Sequence, residues 1–161
     1  MRMTTLCYLE REGSYLMLHR VKKLHDDSHN KWIGVGGKFE ADESPEDCML
    51  REVKEETGLT VTKWKYHGLV TFVSDVAQSD YMHLFSATEW SGQLHACEEG
   101  ELQWVPKAEL GQLALWEGDR VFLALMQQQR PFFSLKLKYK GDSLTQAVLD
   151  GMEIAVDKYR I

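Results

Sequence analysis

The segment from Gly37 to Leu59, GKFEADESPEDCMLREVKEETGL, constrains this chain more than any other. It encodes a helix with both ends marked. Ser44 suits the N-cap, Pro45 the first helical position, and Glu46 and Asp47 the acidic first turn. Gly58 is the stop, because helices commonly end on a left-handed residue that glycine adopts without strain. The helix between them runs roughly three turns. Glu52, Glu55 and Glu56 stand three and four residues apart and share one face. Met49, Leu50 and Val53 point to an adjacent face and are expected to pack on a sheet. Lys54 and Asp47 face away, toward solvent.

Three like charges within about one turn repel, each helical pair costing a few tenths of a kcal/mol. A merely solvated helix would interleave lysines at these spacings, so a positive partner is expected over this face. The alternative is an acidic, solvated surface. Carboxylate oxygens are hard ligands, which favours Mg²⁺ or Mn²⁺ over zinc. Mg²⁺ characteristically takes one or two carboxylates together with substrate phosphates, so the face implies phosphate chemistry. Gly36 and Gly37 follow Trp32-Ile33-Gly34-Val35 and would let the backbone come close to metal or phosphate.

At 161 residues the chain is long enough for one domain with a real core. A net charge of −6 argues against broad binding to a nucleic-acid polymer. It leaves a small nucleotide open, because a bound metal inverts the local field. Cys7, Cys48 and Cys97 show neither metal spacing nor an even disulfide framework. They read as reduced, mostly buried thiols of a cytoplasmic protein. No signal peptide or apolar run of membrane length is evident, so no membrane partner is expected.

Along the chain, 4–9 and 14–19 read as a hairpin. Residues 21–31 are polar and His-rich. His25 and His29 are four apart, but without helical apolar periodicity they read as a loop rather than a metal pair. Residues 61–73 and 81–88 read as paired strands around a turn at 75–80. Residues 102–105 read as a short strand, 106–110 as a helical turn, 118–129 as a helix and 132–139 as a strand. From Leu144 onward, a helix and a returning strand both remain open. Strands first, a helix in the middle and a second helix late give an α/β chain, a mixed sheet with helices on both faces.

Gly37, Glu43, Arg51, Glu52, Val53, Glu55, Glu56, Gly58 and Leu59 fill every fixed position of the Nudix box. The chain therefore resembles the Nudix hydrolases, which cleave nucleoside diphosphates linked to another group with the help of divalent metal. The resemblance implies an α/β/α sandwich with a central mixed sheet, one Nudix domain over 1–161, and Mg²⁺ (or Mn²⁺) held by Glu52, Glu55, Glu56 and the Gly37 carbonyl. It assigns Arg51 to orienting the catalytic glutamate and Glu43 to tying the loop to the helix. It also implies a further carboxylate, for metal or as base, from Glu98 or Glu99.

The run Lys31-Trp32-Ile33-Gly34-Val35-Gly36-Gly37-Lys38 is similar to the glycine-loop segment of the MutT-like 8-oxo-dGTP diphosphatases, the Gram-positive members above all. The runs at 98–106, 115–119 and 130–134 extend that likeness over nearly the whole chain. It implies hydrolysis of a nucleoside triphosphate to monophosphate and pyrophosphate, with Glu55, Glu98 or Glu99 as base. Trp116 would stack on a purine, Asp119 would bond its edge, and Phe72 would line the pocket. Ile33 and Lys38 belong to the glycine loop, and Arg20 would either meet phosphate or be a surface arginine. Two positions depart from the relatives. Ile33 stands where they carry Asn, and Gly118 where their Trp-Pro-Asp-Asp run has its first Asp. These departures keep other substrates open: ordinary dNTPs, dihydroneopterin triphosphate, nucleotide sugars or an RNA 5′ end. A non-catalytic nucleotide sensor is the reading from another class, but such modules usually lose box carboxylates.

Overall fold

The computed structural model describes every residue except Asp27, which falls inside the loop expected at 21–31. Strands β1 (Arg2–Arg11) and β2 (Ser14–His19) form the expected antiparallel hairpin. β3 (Trp32–Ile33) and β6 (Glu101–Pro106) both pair with β2. β1 runs parallel to β5 (Asp80–Ser91), and β5 antiparallel to β4 (Thr60–Ser74). β4 runs parallel to β7 (Phe133–Lys140), whose other edge holds β8 (Ser143–Leu149) and then β9 (Met152–Glu153). The sheet is therefore mixed, in the order β3-β2-β1-β5-β4-β7-β8-β9 with β6 against β2. The tail left open at Leu144 is a strand: the turn at Gly141, with φ of 58°, sends it back along β7.

Period-two alternation divides the apolar residues between two cores. Leu6 and Tyr8 of β1 enter one cluster, Cys7 and Leu9 the other. Helix α1 (Pro45–Thr57) covers the second cluster with Met49 and Val53, both fully buried. Helix α2 (Glu117–Gln127) covers the first with Val121, Phe122, Leu125 and Met126. Each such side chain, fully buried, contributes about 1.5–3 kcal/mol. Helices thus lie on both faces, as the sequence pattern implies.

The ends of α1 are held as their residues suggest. The Ser44 hydroxyl accepts from Asp47 N–H at 3.0 Å, and the Asp47 carboxylate accepts from Ser44 N–H at 3.1 Å. Asp47 is exposed, yet it belongs to this reciprocal cap rather than being merely solvated. At the other end Gly58 has φ of 81° and donates its N–H to the Lys54 carbonyl. Helix α2 has Trp116 at its N-cap and no side-chain cap bond; burial of 118–126 holds it instead. The helical turn expected at 106–110 is a 3-10 helix over Lys107–Gln112.

Candidate active site

The loop before α1 is stitched to β1. Val35 and Cys7 exchange backbone bonds at 2.6 and 3.0 Å, and Thr5 N–H donates to the Gly37 carbonyl at 2.9 Å. Close approach explains the glycines here. A Cβ on Gly36 would lie 2.0 Å from the Thr5 carbonyl oxygen, and one on Gly37 2.6 Å from the Glu52 carboxylate. The Gly36 N–H donates to Glu56 Oε2 at 2.8 Å, which joins the loop to the helix face.

Arg51 organises the surrounding carboxylates. Its guanidinium binds Glu43 through two nitrogens at 2.7 and 2.8 Å. It also donates to Glu52 at 2.7 Å, to Glu55 at 3.3 Å and to the Lys38 carbonyl at 3.0 Å. Glu43 additionally accepts from Glu40 N–H at 2.7 Å, so it ties loop to helix. The hydrogen bond from Arg51 holds the Glu43 carboxyl down at about 2.

Glu52, Glu55 and Glu56 line one side of an open cleft of about 530 Å³, and His95, Glu98 and Glu99 line the other. Burial, with the neighbouring Glu52 charge added, raises Glu56 to about 8. Burial also raises Glu52. Desolvated carboxylates crowded this way favour a cation among them. Among the described residues no three His, Cys, Asp or Glu are gathered into a ready metal cage. The donor chemistry nevertheless fits a hard divalent ion, which takes few carboxylates and fills its shell with water and phosphate oxygen.

Gly36 and Gly37 line a second cavity of about 350 Å³, and the Gly36 bond to Glu56 links its wall to the first. Ile33, Phe72, Trp116, Asp119 and Tyr139 line it. Trp116 Nε1 donates to the Ser28 hydroxyl at 3.1 Å, and Lys31 Nζ sits 5.0 Å from the Trp116 ring centroid. Asp119 is only 3% exposed, and burial lifts its carboxyl to about 8.

The structure brings most of the singled-out residues to these two cavities and departs from the sequence expectation at three. The Gly37 carbonyl, read as a metal ligand, is turned to β1 and accepts from Thr5 N–H and the Cys48 thiol. Gly36 is the glycine in contact with Glu56. Lys38 projects an exposed side chain and lines neither cavity; its backbone carbonyl serves Arg51. Arg20 is neither a free surface arginine nor open to phosphate. It pairs with Asp26 at 2.5 Å and with Glu99 at 2.8 Å, and Lys23 reaches Glu99 at 3.4 Å. Glu99 is thus held, while Glu98 is exposed.

His95, Ser28 and Tyr139 did not emerge from the sequence. His95 arrives because its N–H bonds the Thr57 carbonyl at the end of α1. Lys31 entered only as the first residue of the glycine-loop run, with no contact to Trp116 foreseen. Cys7, Cys48 and Cys97 are all buried and free. No helix among the described residues is long and apolar enough to cross a membrane.

Comparison with known proteins agrees with this geometry. The NUDIX domain family matches residues 1–126. An uncharacterized Nudix hydrolase, YvcI, from Bacillus subtilis (strain 168) is 31% identical over 129 residues, 77% of this chain and 78% of the relative. An oxidized purine nucleoside triphosphate hydrolase from Danio rerio is 30% identical over 126 residues, 76% of this chain and 80% of the relative. The crystal structure of a MutT protein from Bacillus halodurans superposes with a TM-score of 0.82 at 26% identity, over 93% of this chain and 98% of that one. With the box helix, its arginine clamp and the mixed sheet in place, the chain belongs to the NUDIX family and is a Nudix pyrophosphohydrolase.

Proposed function

We propose that this protein hydrolyses a nucleoside triphosphate to the monophosphate and pyrophosphate, with 8-oxo-dGTP as its substrate and Mg²⁺ (Mn²⁺ as the alternative) as its cofactor. The reading makes residues 1–161 one catalytic domain that cleanses the cytoplasmic nucleotide pool. One observation carries it: the Gly36 N–H bond to Glu56 Oε2 joins the acidic cleft to the wall of a purine-sized aromatic cavity. A nucleotide laid across that junction would put its phosphates at the carboxylates and its base against Trp116. The name of the Danio rerio relative supports the same substrate class.

Glu52, Glu56 and Glu99 would hold the metal, with the Gly36 carbonyl in place of Gly37. When bound, the ion neutralises phosphate charge and activates water. Arg51 keeps the Glu52 and Glu55 carboxylates aimed into the cleft. Water attacks an inner phosphorus, a phosphorus–oxygen bond breaks, and pyrophosphate leaves. Glu55 takes the water's proton. Its side chain is 57% exposed, whereas Glu99 is tied to Arg20 and Glu98 belongs to the far wall. The cavity wall accounts for Phe72, Ile33, Trp116 and Asp119 as base contacts, stacking on an aromatic being worth about 1–3 kcal/mol per base.

A second reading keeps the chemistry and changes the substrate to another nucleoside diphosphate derivative. The observation behind it is that positions 33 and 118, Ile and Gly, offer the base no polar side chain. The two readings separate on kcat/KM for 8-oxo-dGTP against dGTP, with Mg²⁺ and pyrophosphate release as readout. A preference of about a hundredfold or more is expected. Near-equal, poor rates would refute the 8-oxo-dGTP assignment and turn the search to other diphosphates.

A further inference from the structure

Position 118 offers the base no side chain, but the space beside it is filled from another element. The Gly118 N–H donates to Tyr139 Oη at 2.7 Å. A Cβ on residue 118 would lie 2.7 Å from that hydroxyl and 2.6 Å from Leu137 Cδ1. The hydroxyl therefore occupies room that a side chain at 118 would need. The Tyr139 ring is fixed on two sides, stacked on Phe72 at 5.9 Å and edge-on to Trp116 at 5.8 Å. All three rings line the second cavity with Asp119.

A phenol carries one proton. Because the oxygen receives the Gly118 N–H on a lone pair, its own O–H is free to donate elsewhere. Asp119 lies near enough for its charge to act on Tyr139, and its carboxyl forms no hydrogen bond among the described residues. Burial keeps that carboxyl protonated at neutral pH, so it offers a second O–H.

We propose that Tyr139 is a specificity-determining residue whose hydroxyl donates to the 6-oxo oxygen of a purine base held against Trp116. This rests on the nucleoside triphosphate reading above and narrows it to 6-oxo purines. A carbonyl oxygen has two lone pairs and accepts from both Tyr139 and Asp119. The 6-amino group of an adenine has no such acceptor, and would leave buried donors unpaired.

The test compares kcat/KM for dITP with that for the 5′-triphosphate of purine 2′-deoxyriboside, which lacks the 6-oxygen, in wild type and Tyr139→Phe. The variant keeps the ring and removes the proton. Any general damage from the unpaired Gly118 N–H falls equally on both substrates and leaves their ratio unmoved. Wild type is expected to favour dITP by about tenfold or more, and the variant, with only Asp119 left to donate, to lose about fivefold or more of that ratio, with the change in KM. An unchanged ratio in the variant, or no preference in wild type, overturns the proposal while the hydrolase assignment stands. Release of pyrophosphate from neither substrate, nor from any dNTP, overturns both. Should Tyr139→Phe fail to fold, 3-fluorotyrosine at 139 retains the hydroxyl as a stronger donor. It should then shift the ratio for dITP, and an unshifted ratio overturns the proposal.

Discussion

Asp119 joins the proposed base contact to stability. Its carboxyl is raised to about 8, chiefly by burial, against opposing pulls from Lys31 and Arg120. The ordinary value is 3.8, so between about pH 4 and pH 8 the unfolded chain releases a proton that the folded chain keeps. The unfolded state binds fewer protons in that window, so the Asp119 contribution to stability falls as pH rises through it. Asp119→Asn cannot titrate. Its melting temperature should therefore gain on wild type steadily from pH 5 to pH 8, followed by thermal unfolding. A difference that stays flat with pH would mean Asp119 is ionised in the fold. At this scale the sequence was readable in part. A polar residue at a helix start after a tryptophan is a local signal, and its capacity to donate when protonated follows from burial. The occupation of the space at Gly118 is not local: the hydroxyl comes from β7, 21 positions on.

Among the elements, α1 was the most legible because its boundaries depend on neighbouring residues. The cap, the proline and the stop glycine lie within its own segment, and the structure uses each. Ser44→Ala removes one half of the reciprocal cap and should cost about 1 kcal/mol. Gly58→Ala should cost more, roughly 1–3 kcal/mol. Its φ of 81° strains any Cβ, which would also meet the His95 ring at 2.6 Å and the Gln93 carbonyl at 2.7 Å. Urea unfolding of the two variants checks the order, and equal midpoints would deny the His95 contact any weight. Strand β8 was not legible for the opposite reason. SLTQAVL carries no strong period of its own, and its conformation is settled by the open edge of β7. The direction of the Gly37 carbonyl was likewise set by β1, a partner more than thirty positions away in sequence.

In the whole molecule, two cores on opposite faces of one sheet support two cavities, linked by the Gly36 N–H bond to Glu56. The first cavity depends on α1, packed with Cys7, Leu9, Val35 and Phe85. The second depends on the start of α2 and on β4 and β7, packed with Leu6, Tyr8, Phe122 and Leu137. Loss of a side chain in one cavity should therefore leave the other standing, and kinetics should separate them. Glu56→Gln, like Glu52→Gln, should lower kcat by orders of magnitude while nucleotide discrimination and folding persist. Trp116→Ala should raise KM by about ten- to a hundredfold, the worth of one stacked base, and spare kcat. Steady-state rates over a nucleotide panel, with circular dichroism as the folding control, decide the matter. Near-wild-type kcat in both glutamine variants would remove those carboxylates from the chemistry. A Trp116→Ala variant that loses kcat and KM together would mean that the base pocket also sets the phosphate geometry, through the Gly36 bond to Glu56.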